Sequence, residues 1–174
     1  MLTFDKMTTN TKWRAVLLIC TVISLREVTG SKEVMTKLTG GFAKVLESCK
    51  NELGIGDSIV QEFYGYWRED YALVNRDMGC MIICMASKLD LLNDEMKMHH
   101  GNAHEFARAH GADDDTAKQI VTILHECESS PSTEDDPCLR ALEISKCFRS
   151  RIHELKWAPN MEVVLEEVMT GVKT

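Results

Sequence analysis

Six cysteines are the residues of this chain whose number and spacing point most directly to a chemistry. The chain has seven cysteines in all, but Cys20 lies in an N-terminal apolar run of the secretory type, and removing that run leaves an even set. The set consists of Cys49, Cys80, Cys84, Cys127, Cys138 and Cys147. An even set in a small secreted chain predicts disulfide bonds. Because Cys80 and Cys84 are one helical turn apart, we expect them to join one helix to two other segments.

Histidines are the second group that could do chemistry, as zinc ligands or as catalytic bases. His100 and His104 would share a helical face, as paired zinc ligands do, but no carboxylate or cysteine completes the set at ligand spacing. We therefore expect no metal and no cofactor. A small secreted lipid hydrolase would need a His-Asp pair beside a calcium loop or a Gly-x-Ser-x-Gly motif. The sequence contains neither, so we favour a binding protein over this enzyme alternative.

The N-terminal 30 residues have the parts of a signal peptide. Basic residues precede an apolar run at positions 15–25, and Val28-Thr29-Gly30 is the predicted cleavage site. The run is about half of the roughly 20 residues that span a bilayer. Residues 31–174 fit one domain. The leader holds four of the 20 basic and two of the 27 acidic residues. Residues 31–174 therefore have 16 basic and 25 acidic residues, a net charge of −9. This negative charge disfavours nucleic acid as a partner.

Helices must position these residues, because apolar side chains recur at steps of three or four nearly throughout the chain. The first such stripe contains Met35, Leu38, Phe42, Val45, Leu46 and Cys49. Asp57 and Asp113 are predicted to cap the helices that follow them. The stretch from Cys80 to Ala86 is apolar on all sides, which predicts a buried helix that begins at Gly79. No alternating pattern predicts a strand, so the fold class is all-α.

Four short motifs accompany the cysteine spacing Cys-x30-Cys-x3-Cys-x42-Cys-x10-Cys-x8-Cys. They are His99-His100-Gly101-Asn102-Ala103, Glu105-Phe106-Ala107, His110-Gly111-Ala112-Asp113 and Trp157-Ala158-Pro159. Together these features resemble the pheromone-binding proteins of moths, a branch of the insect odorant-binding family, over all of residues 31–174. The resemblance implies a six-helix bundle around one apolar cavity, with a C-terminal segment able to form a seventh helix. It also implies the bridges Cys49 to Cys84, Cys80 to Cys138 and Cys127 to Cys147.

The function implied by this resemblance is that of a secreted carrier in the lymph of antennal sensilla. Its partner would be a small hydrophobic semiochemical, a long-chain unsaturated aldehyde, acetate, alcohol or epoxide. An olfactory receptor or a membrane surface would be a transient partner, and the resemblance leaves open whether the protein forms a homodimer, as some relatives do. A general odorant or fatty-acid carrier of the same fold is the alternative.

The resemblance further implies a ligand site whose lining is almost entirely apolar. Its members are Met35, Phe42, Tyr66, Trp67, Ile82, Ala86, Leu91, Leu92, Met98, Phe106, Val121, Leu124, Ile144 and Phe148. Phe42 and Phe148 would sandwich the unsaturated part of the ligand. Ala86 stands where some relatives have a serine that bonds the ligand oxygen. Alanine cannot donate, so an aldehyde, acetate or epoxide is favoured over an alcohol, with Arg140, Thr39 or a water as donor and the Tyr66 hydroxyl as the other choice.

Release at acidic pH is the last property that the resemblance implies. His99, His100 and His125 would act as a gate, and His125, four residues after Val121, is predicted to be at least half buried. The tail at 156–174 would then enter the cavity with its apolar face, while Glu162 and Glu167 keep it outside at neutral pH. The ending Gly171-Val172-Lys173-Thr174 departs from the family pattern, which leaves the strength of the switch open. A surface-docked amphipathic helix is the alternative for this tail.

Overall fold

The computed structural model describes residues 31–171, with side chains through residue 166. The predicted signal peptide, the side chain of Glu167 and the Val172-Lys173-Thr174 ending lie outside the described residues. The helices are α1 (31–53), α2 (Ser58–Gly65), α3 (Arg76–Lys88), α4 (His100–Ala109), α5 (Asp114–Glu128), α6 (Pro137–Glu154) and α7 (Met161–Gly171). The described chain has no strand beyond an isolated bridge between Leu92 and Met98. The all-α prediction is confirmed, and none of these helices has the length and apolar character needed to cross a bilayer.

The first helix ends where the sequence predicts, at a glycine. Gly54 has φ 65°, a left-handed conformation that favours glycine, and it allows the next backbone N–H, that of Ile55, to bond the Lys50 carbonyl at 3.1 Å. The prediction that Asp57 caps α2 is wrong. Its backbone is already helical and its side chain makes no capping bond, because the carboxylate pairs instead with Lys50 at 2.6 Å.

The cap predicted for α5 is confirmed. Asp113 has an extended backbone, and its carboxylate accepts the Thr116 N–H at 2.7 Å. α3 begins at Arg76, three residues before the predicted start at Gly79, because the Asn75 side chain accepts the Asp77 N–H and so caps the helix there.

Three disulfides hold the bundle together. They join Cys49 to Cys84, Cys80 to Cys138 and Cys127 to Cys147, which are the pairs implied by the resemblance. As predicted, Cys80 and Cys84 connect α3 to two other helices, α6 and α1. Each bridge contributes about 2–4 kcal/mol in the usual range for loops of this kind. α3 is therefore covalently linked to two neighbouring helices of the bundle, α1 and α6.

A glycine allows α3 and α6 to approach closely beside one of these bridges. A Cβ atom built on Gly79 would lie 1.8 Å from the backbone oxygen of Cys138, so only glycine fits this crossing. The two Cα atoms of the adjacent Cys80–Cys138 bridge are 4.6 Å apart. This contact fixes the distance between two helices that form the wall of the cavity described below.

Arg149 on α6 positions the segment between α2 and α3. Its guanidinium Nη1 donates to the backbone oxygens of Tyr66, Arg68 and Tyr71 at 3.0–3.1 Å. Nearby, the His153 ring forms a hydrogen bond with the Trp67 oxygen at 2.8 Å. One arginine thus satisfies three carbonyls of an irregular segment that would otherwise need water. It holds Tyr66 and Trp67 against α6.

Candidate functional site

The interior of the bundle contains an apolar cavity of about 260 Å³, near the lower end of small-molecule sites, about 300–1,000 Å³. Its wall is made by α1, the end of α2, α3 to α6, and the segments that follow α2 and α3. Five lining side chains contain oxygen or nitrogen: Thr39, Tyr66, Trp67, Glu128 and Ser145. The others are aliphatic, aromatic hydrocarbon or thioether groups. A site of this composition binds mainly by removing apolar ligand surface from water.

Of the fourteen residues predicted to contact a ligand, thirteen line this cavity. They are Met35, Phe42, Tyr66, Trp67, Ile82, Ala86, Leu91, Leu92, Met98, Phe106, Leu124, Ile144 and Phe148. Val121 does not line it; this side chain packs on a small cluster formed by Ala86, Leu91 and Ala103. The structure brings the predicted set together, and ligand contact by these residues stays a prediction.

Aromatic side chains of the lining pack edge to face in two groups. Phe42 of α1 meets Phe106 of α4 with ring centroids 5.8 Å apart and planes at 88°. Phe148 of α6 meets Trp67 at 6.3 Å, and Trp67 meets Tyr66 at 4.8 Å and 87°. Contacts of this kind stabilise beyond the area that they bury. Phe42 and Phe148 thus belong to different groups, each fixed by its own aromatic neighbours.

The hydroxyl groups of the lining use their hydrogens within the protein. Each donates to a backbone carbonyl at 2.8 Å: Thr39 Oγ1 to Met35 O, Tyr66 Oη to Ser145 O, and Ser145 Oγ to Leu142 O. Burial raises the pKa of the Tyr66 phenol, so it keeps the proton that it donates. The indole N–H of Trp67 donates to Thr39 Oγ1 at 3.0 Å. These groups have lone pairs to offer a ligand and no uncommitted hydrogen.

The donors proposed from the sequence for a ligand oxygen are therefore engaged elsewhere. Thr39 donates to its own helix, and Arg140 does not line the cavity but donates through Nη2 to the backbone oxygen of Glu128 at 3.1 Å. Sequence reasoning also missed Glu128, the charged residue of the lining. Glu128 follows Leu124 by four positions, so the helical period could have placed it on the same stripe.

One end of the cavity is covered by the loop from 89 to 99, which we call the rim loop. Met96 in this loop lines the cavity, is 56% exposed and has φ 59°, an uncommon conformation for a residue with a side chain. The loop is held by polar contacts. Met98 N–H donates to Glu128 Oε1 at 2.9 Å, and Asn102 Nδ2 donates to the Asp90 backbone oxygen at 2.8 Å.

The predicted histidine gate lies at this same end, but it is not buried. His100 and His125 have ring centroids 4.8 Å apart, and both are exposed. The prediction that His125 is at least half buried is wrong, because the face of α5 that carries Val121 and His125 lies beside the cavity wall and not on it. His99 caps α4, its Nδ1 accepting the Asn102 N–H at 3.1 Å. The part of these three residues in an acid-triggered gate stays a prediction.

Comparison with known proteins places the chain in a family. Residues 31–151 match the PBP/GOBP family. The chain belongs to that family. Pheromone-binding protein 2 of Epiphyas postvittana is 44% identical over 142 residues, which cover 82% of this chain and 86% of that protein. General odorant-binding protein 2 of Heliothis virescens is 35% identical over 153 residues, covering 88% of this chain and 94% of that one.

The fold of a solved family member agrees with the one described here. The crystal structure of Epiphyas postvittana pheromone-binding protein 3 superposes with a TM-score of 0.62 at 54% identity, covering 67% of this chain and 99% of that one. The resemblance stated from the cysteine and histidine motifs is thus confirmed. The relatives are named as binding proteins, and this PBP/GOBP chain is not an enzyme.

Residues 161–171 of the tail of this PBP/GOBP chain are already helical. Trp157 belongs to a core cluster with residues of α1, α4, α5 and α6, Ala158 and Met161 pack against this cluster, and Val164 is fully buried. None of the described tail residues lines the cavity. Glu162 is exposed. In the part of the tail that the structure describes, α7 therefore forms without entering the cavity.

Proposed function

We propose that this protein is a secreted extracellular carrier that encloses a long-chain unsaturated semiochemical in the cavity and keeps it dispersed in sensillar lymph. The observation that carries the proposal is the apolar cavity itself, with thirteen of the predicted contact residues in its lining. Each ligand CH₂ moved out of water contributes about 0.8 kcal/mol. A chain of a dozen carbons therefore contributes about 10 kcal/mol before the costs of association, enough for micromolar affinity or better.

Two observations bear on the kind of ligand. The pheromone-binding relative is 44% identical and the general odorant-binding relative 35%, which favours a pheromone component over a general odorant or a fatty acid. The hydrogen bonds of the lining favour an alcohol over the aldehyde, acetate or epoxide suggested by Ala86. A ligand hydroxyl can donate to the lone pairs of Tyr66, Ser145 or Glu128, whereas a carbonyl or epoxide oxygen finds no uncommitted donor.

Displacement of a fluorescent probe tests both parts of this proposal. The competitors are one unsaturated chain ending in an alcohol, an aldehyde, an acetate or a methyl group. We expect all to displace the probe, and the alcohol to bind about fivefold more tightly than the acetate, as one net hydrogen bond predicts. If no chain displaces the probe, the carrier proposal is wrong. If the acetate or aldehyde binds best, only the preference for an alcohol is wrong.

Acid-dependent release is the second part of the proposal, and it rests on the tail. Glu162 and Glu167 lie on the segment whose apolar side contains Met161 and Val164. Protonated carboxylates cost less to bury than ionised ones, so the tail competes better for the cavity as the pH falls. Release would occur near a receptor or at an acidic membrane surface. A homodimer is compatible with this function but is not required by it.

Neutralising the tail tests the release mechanism at a single pH. The double variant Glu162→Gln and Glu167→Gln should weaken probe binding at neutral pH, as we expect acid to do for the parent protein. Glu105→Gln removes an exposed carboxylate on α4 and is the matched control, with unchanged affinity. Equal affinity of the parent protein at pH 7 and pH 5 would contradict acid release and leave the carrier function standing.

A further inference from the structure

The six histidines fall into two groups by the hydrogen bonding of their rings. Four are engaged in hydrogen bonds: His99 with Asn102 N, His104 with Asp114, His110 with Phe106 O and His153 with Trp67 O. Within the described chain, the rings of His100 and His125 form no hydrogen bond. Their nitrogens are therefore available to another partner, and the two rings lie edge to face with centroids 4.8 Å apart.

A carboxylate completes this pair. One ligand atom each of His100, His125 and Glu128 lies within 4.8 Å of the other two. The three come from two helices, since His100 is the first residue of α4 while His125 and Glu128 are three apart on one face of α5. Both α5 residues flank Cys127, whose bridge to Cys147 fixes this turn against α6.

A polar contact also orients the carboxylate. Met98 N–H donates to Glu128 Oε1 at 2.9 Å, the kind of outer contact that holds a metal ligand in one position. Both imidazoles are exposed, so they can rotate at little cost. Ligands of tetrahedral zinc are expected about 3.4 Å apart, and rotation of the exposed imidazoles is the movement that would bring the set towards this spacing.

We propose that His100, His125 and Glu128 bind one Zn²⁺ ion at the rim of the cavity. Two imidazole nitrogens and one carboxylate oxygen are a ligand set that zinc prefers, and a water completes four-coordination. The sequence did not indicate this site, because the ligands lie on two helices and the zinc spacings considered there lie within one. The bound ion links the start of α4 to the end of α5. Its ligand Glu128 and the neighbouring Met98 both belong to the cavity lining. Zinc binding by these three residues does not depend on which ligand the cavity carries.

Zinc titration of the purified, disulfide-bonded protein tests this proposal. The protein is expressed without a polyhistidine tag, treated with EDTA, dialysed and titrated in competition with a chromophoric chelator. We expect one Zn²⁺ per chain with micromolar affinity. His100→Ala and His125→Ala should each weaken binding by at least about tenfold. Co²⁺ in place of Zn²⁺ should give the intense visible bands of a tetrahedral complex, and both variants should lose them.

His104→Ala is the matched control, because His104 is also on α4 and also lies beside a carboxylate, Asp114 at 3.1 Å, but it is not one of the three residues whose ligand atoms lie together. Its zinc affinity should equal that of the parent protein. Circular dichroism and thermal unfolding check that each variant is folded. The proposal is overturned if the parent protein binds no Zn²⁺ below millimolar concentration, or if folded His100→Ala and His125→Ala bind it as tightly as the parent does.

Discussion

The wall formed by α3 and α6 and the rim formed by α4, α5 and the rim loop enclose the same cavity by different means. The wall has a disulfide, a glycine crossing at van der Waals distance and an arginine that bonds three carbonyls. In the described chain, α4 and the rim loop have no disulfide and are held by hydrogen bonds such as those of Met98 to Glu128 and of Asn102 to Asp90. A carrier needs a fixed wall that keeps the cavity formed and a rim that can open, so we expect the ligand to enter and leave at the rim.

This contrast makes the stability of the protein unevenly distributed. Substitutions in the wall should change the free energy of unfolding, because they disturb contacts that cannot relax separately. Substitutions in α4 and the rim loop should change ligand or metal binding with little effect on unfolding, because local opening costs less where no disulfide holds the backbone. The following predictions test this division from the largest expected effect to the smallest.

The largest effect should come from Gly79→Ala in the wall. The new Cβ would meet the Cys138 backbone at 1.8 Å, and neither helix can move without disturbing the Cys80–Cys138 bridge, so we expect at least about 3 kcal/mol of destabilisation. Denaturant unfolding measures it. Gly40→Ala on α1 is the control, since its Cβ meets nothing within 4 Å, and it should stabilise by up to about 1 kcal/mol through helix propensity. Equal effects of the two would disprove a tight crossing.

Arg149→Met should give the next largest effect. It leaves the carbonyls of Tyr66, Arg68 and Tyr71 without their donor, and unsatisfied groups of this kind cost about 1–3 kcal/mol each when buried. We expect a total of about 2–3 kcal/mol, because part of the segment can reach water. Arg151→Met, two residues along α6, removes an exposed pair with Glu126 at 3.0 Å and should change the unfolding free energy by less than about 0.5 kcal/mol.

Features that depend on the order of residues along the chain could be predicted from the sequence, and features that depend on how helices cross could not. The cysteine pairs and half of the cavity lining could be predicted because the family resemblance implies them, and that resemblance rests on cysteine spacing and short motifs along the chain. The contact of Gly79 with the Cys138 backbone and the three bonds of Arg149 could not, because they depend on how helices cross. The failure at His125 has the same cause: its exposure is decided by where α4 crosses α5.

The two predicted caps show the limit even for local structure. Asp113 caps α5 and Asp57 does not cap α2, although each is an aspartate that follows a glycine-containing turn. The difference is Lys50, which lies one turn before the end of α1 and takes the Asp57 carboxylate at 2.6 Å. A competing charge can thus override a capping preference that the sequence indicates correctly.

Asp113→Ala should destabilise the start of α5 in a pH-dependent way. The Thr116 N–H lowers the pKa of Asp113. Because folding lowers this pKa, the bond stabilises the protein above the unfolded carboxyl pKa of about 4, and its contribution is lost as the pH falls through the lower folded value. Thermal unfolding at pH 7 and pH 3 should therefore show a smaller difference between variant and parent at pH 3. A constant difference would exclude the ionised cap as the cause.

The smallest effect should come from two neighbours on α5 that differ in their relation to the cavity. Leu124 lines it, whereas Val121, one turn earlier, packs beside it, and both are half buried. Leu124→Ala should weaken binding of the long-chain alcohol about threefold, because contacts with the ligand are lost from a wall that stays in place. Val121→Ala should leave the affinity unchanged and affect unfolding alone. If Val121→Ala weakens binding as much as Leu124→Ala does, the ligand reaches beyond this cavity towards the rim, and the face that carries His125 belongs to the binding site as well.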